Sequence, residues 1–186
     1  MKIAISGAHA QGKTTLVNAL QQHEMFKDYV FKTNLTRSLK EAGLNINEAG
    51  DAVTQLAVMS KHFEYANLPS NVILDRCALD GLAYSRVLLR DLDDTEFKVA
   101  LFTIGCRCLN QYDIIFYVKP ELPLVSDGTR SVDQDFFNKV VDSFEYTIDN
   151  ISTFNKPVTI VEISGSVEER VDLIVSSLKL LNINSN

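Results

Sequence analysis

Short runs of apolar residues alternate along the chain with longer stretches in which apolar residues recur every three or four positions. The short runs predict β-strands, and the wider spacing predicts helices with one buried face. The predicted strands are residues 2–6, 29–33, 71–75, 112–118 and 158–163. Because strands that alternate with helices form parallel sheets with right-handed crossovers, this order predicts an α/β fold with a five-stranded parallel sheet.

The third and fourth strands are almost continuously apolar, which is typical of strands that helices cover on both faces. The sequence therefore predicts a three-layer sandwich. Two later helices carry clear apolar stripes. The first stripe contains Phe136, Phe137, Val140, Val141, Phe144, Ile148 and Ile151, and the second contains Val167, Val171, Ile174, Val175, Leu178 and Leu181. Ser166 and Glu169 precede and open the second helix at the spacing of a capping box.

The length of 186 residues fits one domain that spans residues 1–186. One irregular stretch interrupts the pattern, at residues 119–132, with two prolines and the pair Asp127-Gly128. It lies between a buried strand and a long helix, where a mobile lid would belong, and a plain surface loop is the alternative.

The net charge of −6 argues against non-specific binding to duplex DNA, which requires a basic surface. No apolar run approaches the length of a membrane span, and the first residues lack the pattern of a signal peptide. Cys77, Cys106 and Cys108 lack the spacing of a metal site or a disulfide framework. We expect buried free thiols and a cytoplasmic location.

The first strand runs into an octamer that matches G-x-x-x-x-G-K-[ST], and a predicted helix follows it. In this context the glycines let backbone amides surround phosphate groups, and the start of the helix adds its positive dipole. The sequence therefore predicts a nucleotide-binding P-loop. The residues assigned to it are Gly7, Ala8, His9, Ala10, Gln11, Gly12, Lys13, Thr14 and Thr15.

Four side chains in and beside the P-loop are predicted to act on the phosphates and the metal ion. Lys13 would neutralise the β- and γ-phosphates of ATP, and the Thr14 hydroxyl would bind Mg²⁺. Asp75 ends an apolar strand, as a Walker-B carboxylate does, so it is the second expected magnesium ligand. Arg76 follows it and offers a planar cation to a phosphate or substrate oxygen.

Three segments resemble NadR-type nicotinamide riboside kinases and, more distantly, thymidylate and deoxynucleoside kinases. The segments are Asp75-Arg76-Cys77 with Leu79-Asp80 and Ala83-Tyr84, then residues 123–130, and then residues 161–165. The resemblance implies the sheet order 2-3-1-4-5. It also implies that Gly165 belongs to the loop beside the adenine base and that Arg130 approaches the transferred phosphoryl group from the lid.

The same resemblance implies an acceptor pocket that contains Arg37, Gln55, His62 and Arg76. Many relatives carry an acidic residue just after the second strand, and this chain has no carboxylate there until Glu41. A monophosphate acceptor needs no base because its nucleophile is already an anion. A nucleoside acceptor would need one, most simply Asp75.

The favoured function is phosphoryl transfer from ATP, with Mg²⁺, to a nucleoside or a (deoxy)nucleoside monophosphate. The alternative is a switch or regulatory module that binds ATP or GTP without a small acceptor. A switch GTPase would carry Asn-Lys-x-Asp, and neither Asn138-Lys139 nor Asn155-Lys156 is followed by that Asp. A ring-type motor would need a further helical domain. The base and sugar of the acceptor, the donor, and monomer or homodimer stay open.

Overall fold

The computed structural model describes residues 1–69, 71–125, 131–154 and 158–184. Five strands lie in these ranges, and each falls inside a strand that the hydrophobic pattern predicts. They are β1 (Lys2–Ser6), β2 (Val30–Lys32), β3 (Val72–Asp75), β4 (Ile114–Val118) and β5 (Ile160–Ile163). The predicted ranges for β2 to β5 extend one or two residues beyond the observed strands. A pattern of side chains does not show where the ladder of backbone hydrogen bonds stops.

All pairings in the sheet are parallel, and the strand order is β2-β3-β1-β4-β5. This confirms the fold that the resemblance implied. Ile5 of β1 lies opposite Asp75 of β3 on one side and opposite Phe116 of β4 on the other. The carboxyl ends of β1 and β3 therefore open at the same edge of the sheet, which is where parallel α/β proteins bind ligands.

Seven α-helices lie between and after the strands in the described part of the chain. They are α1 (Lys13–Gln21), α2 (Leu35–Glu41), α3 (Ala52–Ala66), α4 (Ala78–Leu88), α5 (Thr95–Leu109), α6 (Gln134–Phe154) and α7 (Val167–Asn184). The predicted capping box of α7 is present. Ser166 N donates to Glu169 Oε2 at 2.7 Å, and Glu169 N donates to Ser166 Oγ at 3.2 Å.

Helices cover both faces of the sheet, which confirms the three-layer sandwich. Ile3 and Ile5 of β1 belong to the core under α1 and α7. Ala4, which alternates with them, belongs to the larger core that α3, α4, α5 and α6 share. Because both faces carry apolar cores, β3 and β4 are buried along their whole length, as their continuous apolar sequences predict.

The structure also bears on the predicted lid, the three cysteines and the expected lack of a membrane span. Residues 119–125 and 131–132 of the predicted lid contain no helix or strand, and residues 126–130, with Arg130, lie outside the described residues. The three cysteines are buried and free, as expected. Burial, with a contribution from Cys106, raises the pKa of the Cys108 thiol to about 11. Across the described ranges, no helix is both long enough and apolar enough to cross a membrane.

Candidate active site

The P-loop connects β1 to α1 by a turn that only glycine accommodates at its two ends. Gly7 has φ of +140° and Gly12 has φ of +76°. A Cβ atom on Gly7 would lie 2.7 Å from the Val118 carbonyl oxygen. Glycine therefore lets the loop lie directly against the end of β4. The loop ends where α1 begins, at Lys13, so the amide groups and dipole of a helix start face the loop.

The two predicted magnesium ligands lie next to each other. The Thr14 hydroxyl donates to Asp75 Oδ2 at 3.0 Å, although 61 positions separate the two residues in the chain. Asp75 is only 8% exposed. The Lys13 ammonium, also buried, donates to the Ala8 carbonyl inside the loop. A hydroxyl, a carboxylate and a cation therefore converge at the start of α1.

Asp80, the other carboxylate of this region, is occupied by structural hydrogen bonds. Its Oδ2 accepts from Ser6 Oγ at 2.6 Å and from Cys77 N at 3.0 Å. Its Oδ1 accepts from the Arg76 guanidinium at 3.2 Å. Asp80 thus joins the end of β1 to the start of α4, which leaves Asp75 as the carboxylate that faces Thr14.

Arg76 is held in an unusual position directly after β3. Its φ is +84°, in the left-handed region that residues other than glycine seldom adopt. Its guanidinium lies 5.8 Å from the centre of the Tyr84 ring. Burial would lower the pKa of Arg76, but neighbouring Tyr84, Asp80 and Asp75 outweigh burial and raise that pKa. A fixed, permanently charged group therefore lies beside Asp75.

A pocket of about 170 Å³ opens beside Thr14 and Asp75. Its lining includes all four residues that the resemblance places in the acceptor pocket, namely Arg37, Gln55, His62 and Arg76. Apolar side chains from α2, α3, α4 and the loop after α2 form the remaining wall, including Leu35, Leu39, Ile46, Val58 and Leu88. Arg37 is exposed, so it lies at the mouth of the pocket rather than in its interior.

Gln55 and His62 form the polar part of the interior. They share one face of α3, and their exposed fractions are 3% and 0%. Gln55 Oε1 accepts from Ser85 Oγ at 3.1 Å, which leaves the amide NH₂ group for another partner. Neither ring nitrogen of His62 has a hydrogen-bond partner among the described residues. Burial, and then the charge of Arg76, lower the pKa of His62 to about 3, so the ring is neutral at physiological pH.

Of the other predicted residues, His9 also borders this pocket, whereas Thr15 and Gly165 do not line it. His9 points to the core: its ring stacks on Phe136, and both its N–H and its Nδ1 contact Tyr84 Oη, at 3.1 and 2.9 Å. Thr15 is exposed on α1. Gly165, with φ of +92°, follows β5 and donates its N–H to Glu121 Oε2 at 2.9 Å.

The structure also adds residues that the sequence analysis did not assign to the site. The pocket lining includes Asn34, Asn47, Thr54 and Tyr84. Tyr84 contacts both Arg76 and His9, so it connects the pocket to the P-loop. Its position two turns after Arg76 in the chain was the available signal. Asn34 occupies the N-cap position of α2 and Asn47 begins a one-turn 3-10 helix, so no periodic pattern indicates which way either side chain points.

A P-loop beside a carboxylate on the neighbouring strand, in a sheet of this order, defines a kinase-like P-loop fold. A family model described as an AAA domain matches residues 2–170, and the chain belongs to this AAA domain family. The sequence matches none of the curated proteins with which it was compared.

Solved structures of small-molecule kinases share the fold. The deoxyadenosine kinase from M. mycoides with products dCMP and dCDP is 16% identical with a TM-score of 0.67, and the alignment covers 97% of this chain and 100% of the kinase. Thymidylate kinase from Candida albicans is 17% identical with a TM-score of 0.64, with 97% and 92% covered. NadR protein in complex with NAD and AMP-PNP is 15% identical with a TM-score of 0.68, with 94% of this chain but only 48% of NadR covered.

Proposed function

We propose that this protein is an ATP-dependent phosphotransferase whose acceptor is a nucleoside or a nucleoside monophosphate. The observation that carries the proposal is the single pocket that contains the end of the P-loop, the Asp75-Arg76 pair and the polar face of α3. A nucleotide-binding loop alone would serve a switch equally well. A transferase also needs a pocket for the acceptor molecule beside the nucleotide-binding loop and open to the same carboxylate.

On the donor side, the loop amides and Lys13 bind the phosphates of ATP. Thr14 and Asp75 are suited to Mg²⁺, because both offer oxygen atoms and their side chains lie 3.0 Å apart. The ion would supply charge neutralisation between the phosphates. The described residues contain no cluster of three metal-binding side chains. Two protein ligands suffice for Mg²⁺ when nucleotide oxygens and water complete its shell.

On the acceptor side, the pocket suits a flat heterocycle with polar edges. The apolar wall contacts the faces of the ring, and Gln55 and His62 contact its edge. A neutral imidazole offers one donor and one acceptor, and Gln55 adds the NH₂ group that Ser85 leaves available. Buried polar groups that lack partners cost free energy, so a substrate that pairs with His62 gains affinity.

The transfer itself is an in-line displacement. A bond forms between the acceptor oxygen and the γ-phosphorus, and the bond from that phosphorus to the bridging oxygen breaks to release ADP. Asp75 and Asp80 are the carboxylates in the described lining, and Asp80 is occupied by Ser6, Cys77 and Arg76. With a hydroxyl acceptor, Asp75 therefore takes the proton. Arg130 completes the proposal from the lid, and Gly165 borders the adenine base.

The test is a transfer assay with ATP, Mg²⁺ and a panel of nucleosides, deoxynucleosides and their monophosphates, with products identified by mass. We expect one group of acceptors to gain 80 mass units, roughly the mass of a phosphoryl group added in such transfers. ATP consumption should rise sharply when that group is added. ATP hydrolysis at the same rate with and without every acceptor would contradict the proposal and favour a switch.

The matched control is Lys13→Ala, which should lower formation of the new product at least about 100-fold without changing the helical content of the protein. Product formed at the wild-type rate by this variant would mean that residues 7–14 do not carry the transfer. The donor is then identified by replacing ATP with GTP at equal concentration.

A further inference from the structure

Two buried polar side chains, Gln11 and Arg170, lie behind the P-loop near Gly12, and they contact the more exposed residues Glu121 and Leu122. We refer to these four residues as the P-loop brace. They come from three separate parts of the chain, namely the P-loop, the segment after β4 and helix α7. Arg170 is 2% exposed, an unusual location for a charged side chain.

The side chain of Gln11 attaches the P-loop to the segment after β4. Its Oε1 accepts from Glu121 N at 2.7 Å and from Leu122 N at 2.8 Å. Its Nε2 donates to Leu122 O at 2.9 Å. Three hydrogen bonds to backbone groups from one buried amide fix the position of both segments.

The main chain of Gln11 is held from the opposite side by α7. The Arg170 guanidinium donates through Nη1 to the Gln11 carbonyl oxygen at 2.9 Å. In a trans peptide the carbonyl and the following N–H point in opposite directions. The peptide between Gln11 and Gly12 therefore has its carbonyl directed to Arg170 and the Gly12 N–H directed away from Arg170. Backbone N–H groups on the concave side of such a loop are the groups that bind phosphates.

Glu121 fixes the position of Arg170. Its Oε2 accepts from Arg170 Nη2 at 3.1 Å and from Gly165 N at 2.9 Å. The hydrogen bond from Gly165, and then the neighbouring Arg170, hold the pKa of Glu121 below its ordinary value. The pair is therefore ionised at neutral pH. The Arg170 charge reaches the phosphate site through one peptide group, and its partner carboxylate lies partly in solvent.

We propose that Arg170 is a positioning residue of the nucleotide site, which holds the Gln11–Gly12 peptide so that the Gly12 N–H donates to a bound phosphate. The inference rests on the proposed nucleotide site at residues 7–14. It goes beyond that site because no part of Arg170 belongs to the P-loop motif. It also predicts that Arg170 affects the affinity for the phosphate chain of a nucleotide and not the affinity for its base.

The test compares the dissociation constants of ATP and of inorganic tripolyphosphate for the intact chain, by calorimetry at fixed Mg²⁺. Tripolyphosphate engages the P-loop and has no base. In Arg170→Gln both constants should rise about tenfold, the effect of one lost hydrogen bond to a charged group. Arg170→Lys keeps the charge but not the two-pronged geometry, so it should lie between the wild type and Arg170→Gln.

The control is Lys179→Gln, which removes the same charge from an exposed position on the same helix and should leave both constants unchanged. If Arg170→Gln does not fold, the Glu121→Gln variant tests the inference instead, because Glu121 is partly exposed. Glu121→Gln should raise both dissociation constants about threefold, since Arg170 loses its charged partner. Unchanged constants in a folded Arg170→Gln, or an increase for ATP alone, would overturn the inference. Failure of the wild type to bind either ligand would refute the nucleotide site instead.

Discussion

The phosphate side and the acceptor side of the candidate site are built in different ways. The proposed phosphate side is a continuous loop, residues 7–14, which would bind phosphate mostly through backbone amides and whose glycine positions are fixed by geometry. The acceptor side combines single side chains from α2, α3 and α4 with the residue after β3. The first construction requires a particular sequence pattern, whereas the second requires only that distant side chains meet.

This difference separates what the two sides can specify. Backbone amides bind any phosphate chain, so the P-loop indicates a nucleotide without indicating the reaction. In the proposed acceptor pocket, Gln55 and His62 would discriminate between heterocycles by their hydrogen-bond donors and acceptors. We therefore expect changes on the phosphate side to reduce turnover with every acceptor, and changes on the acceptor side to act on acceptor affinity.

Lys13→Ala should have the largest effect and lower kcat at least about 100-fold, because the ammonium stabilises charge that develops on the transferred phosphoryl group. Thermal melting should show an intact fold, and Lys179→Ala is the control with the same loss of charge at the surface. Normal turnover in a folded Lys13→Ala variant would mean that residues 7–14 are not the working phosphate site.

Asp75→Asn should lower kcat by roughly tenfold or more at limiting Mg²⁺, because an amide keeps the size of the side chain but removes the charge that a hard cation favours. Nucleotide binding should persist without Mg²⁺. The measurement is the dependence of initial rate on Mg²⁺ concentration, with Asp149→Asn on the exposed side of α6 as the control. If the dependence on Mg²⁺ were identical to that of the wild type, Asp75 would not be a magnesium ligand.

Gln55→Leu should raise the KM for the acceptor about tenfold and leave the KM for ATP unchanged, because one hydrogen bond to the heterocycle is lost. The variant sharpens the comparison, since it separates the two sides by substrate. Gln21→Leu, exposed on α1, is the matched control. Equal increases in both KM values would show that α3 serves the whole site and not the acceptor alone.

Substitution of His62 by Gln should have the smallest effect on turnover but a measurable effect on stability in acid. The folded chain keeps His62 neutral with a pKa of about 3, whereas the unfolded chain takes up a proton below about 6.5. The free energy of unfolding therefore falls as pH decreases from 6.5 toward 3, by up to about 1.4 kcal/mol per pH unit. Thermal melting between pH 7 and 5 should show a shallower loss in His62→Gln than in the wild type.

Gln21→Leu, which is exposed on α1 and changes no titratable group, is the control for the acid effect and should retain the slope of the wild type. Equal slopes in the wild type and His62→Gln would mean that His62 is not held neutral by burial. The hydrogen-bonding role assigned to it in the acceptor pocket would then lose its physical basis.

Most of the fold was accessible from the sequence, because the pattern of apolar runs records which strands are covered on both faces. Residues 2–6 and the P-loop were predicted in full, and Asp75 was predicted to meet Thr14 because parallel strands end at one edge. The sheet order came from the resemblance, since periodicity does not encode which strands are neighbours. The acceptor residues also depended on the resemblance.

Contacts between residues distant in the chain were not accessible. Gln11 and Arg170 meet across 159 positions, and Ser6 and Asp80 across 74. No local pattern distinguishes these residues from ordinary surface polar residues, because their burial is a property of three elements packing together. Sequence patterns therefore predicted the motifs and not the residues that hold the motifs in place.

Asp80 has a consequence for the way in which the molecule opens. Its carboxylate connects the last residue of β1, the first residues after β3 and the start of α4. Amide hydrogens at these strand ends should exchange with solvent only when the whole sheet opens. Residues 42–51 supply Ile46 and Asn47 to the pocket wall and are tied to α3 by the hydrogen bond from Thr54 Oγ1 to Asn45 O. We expect their amide hydrogens to exchange faster than those at the strand ends. Under the proposed function, an acceptor would then enter and leave through local openings of residues 42–51 while the strand ends that carry the P-loop and Asp75 stay closed.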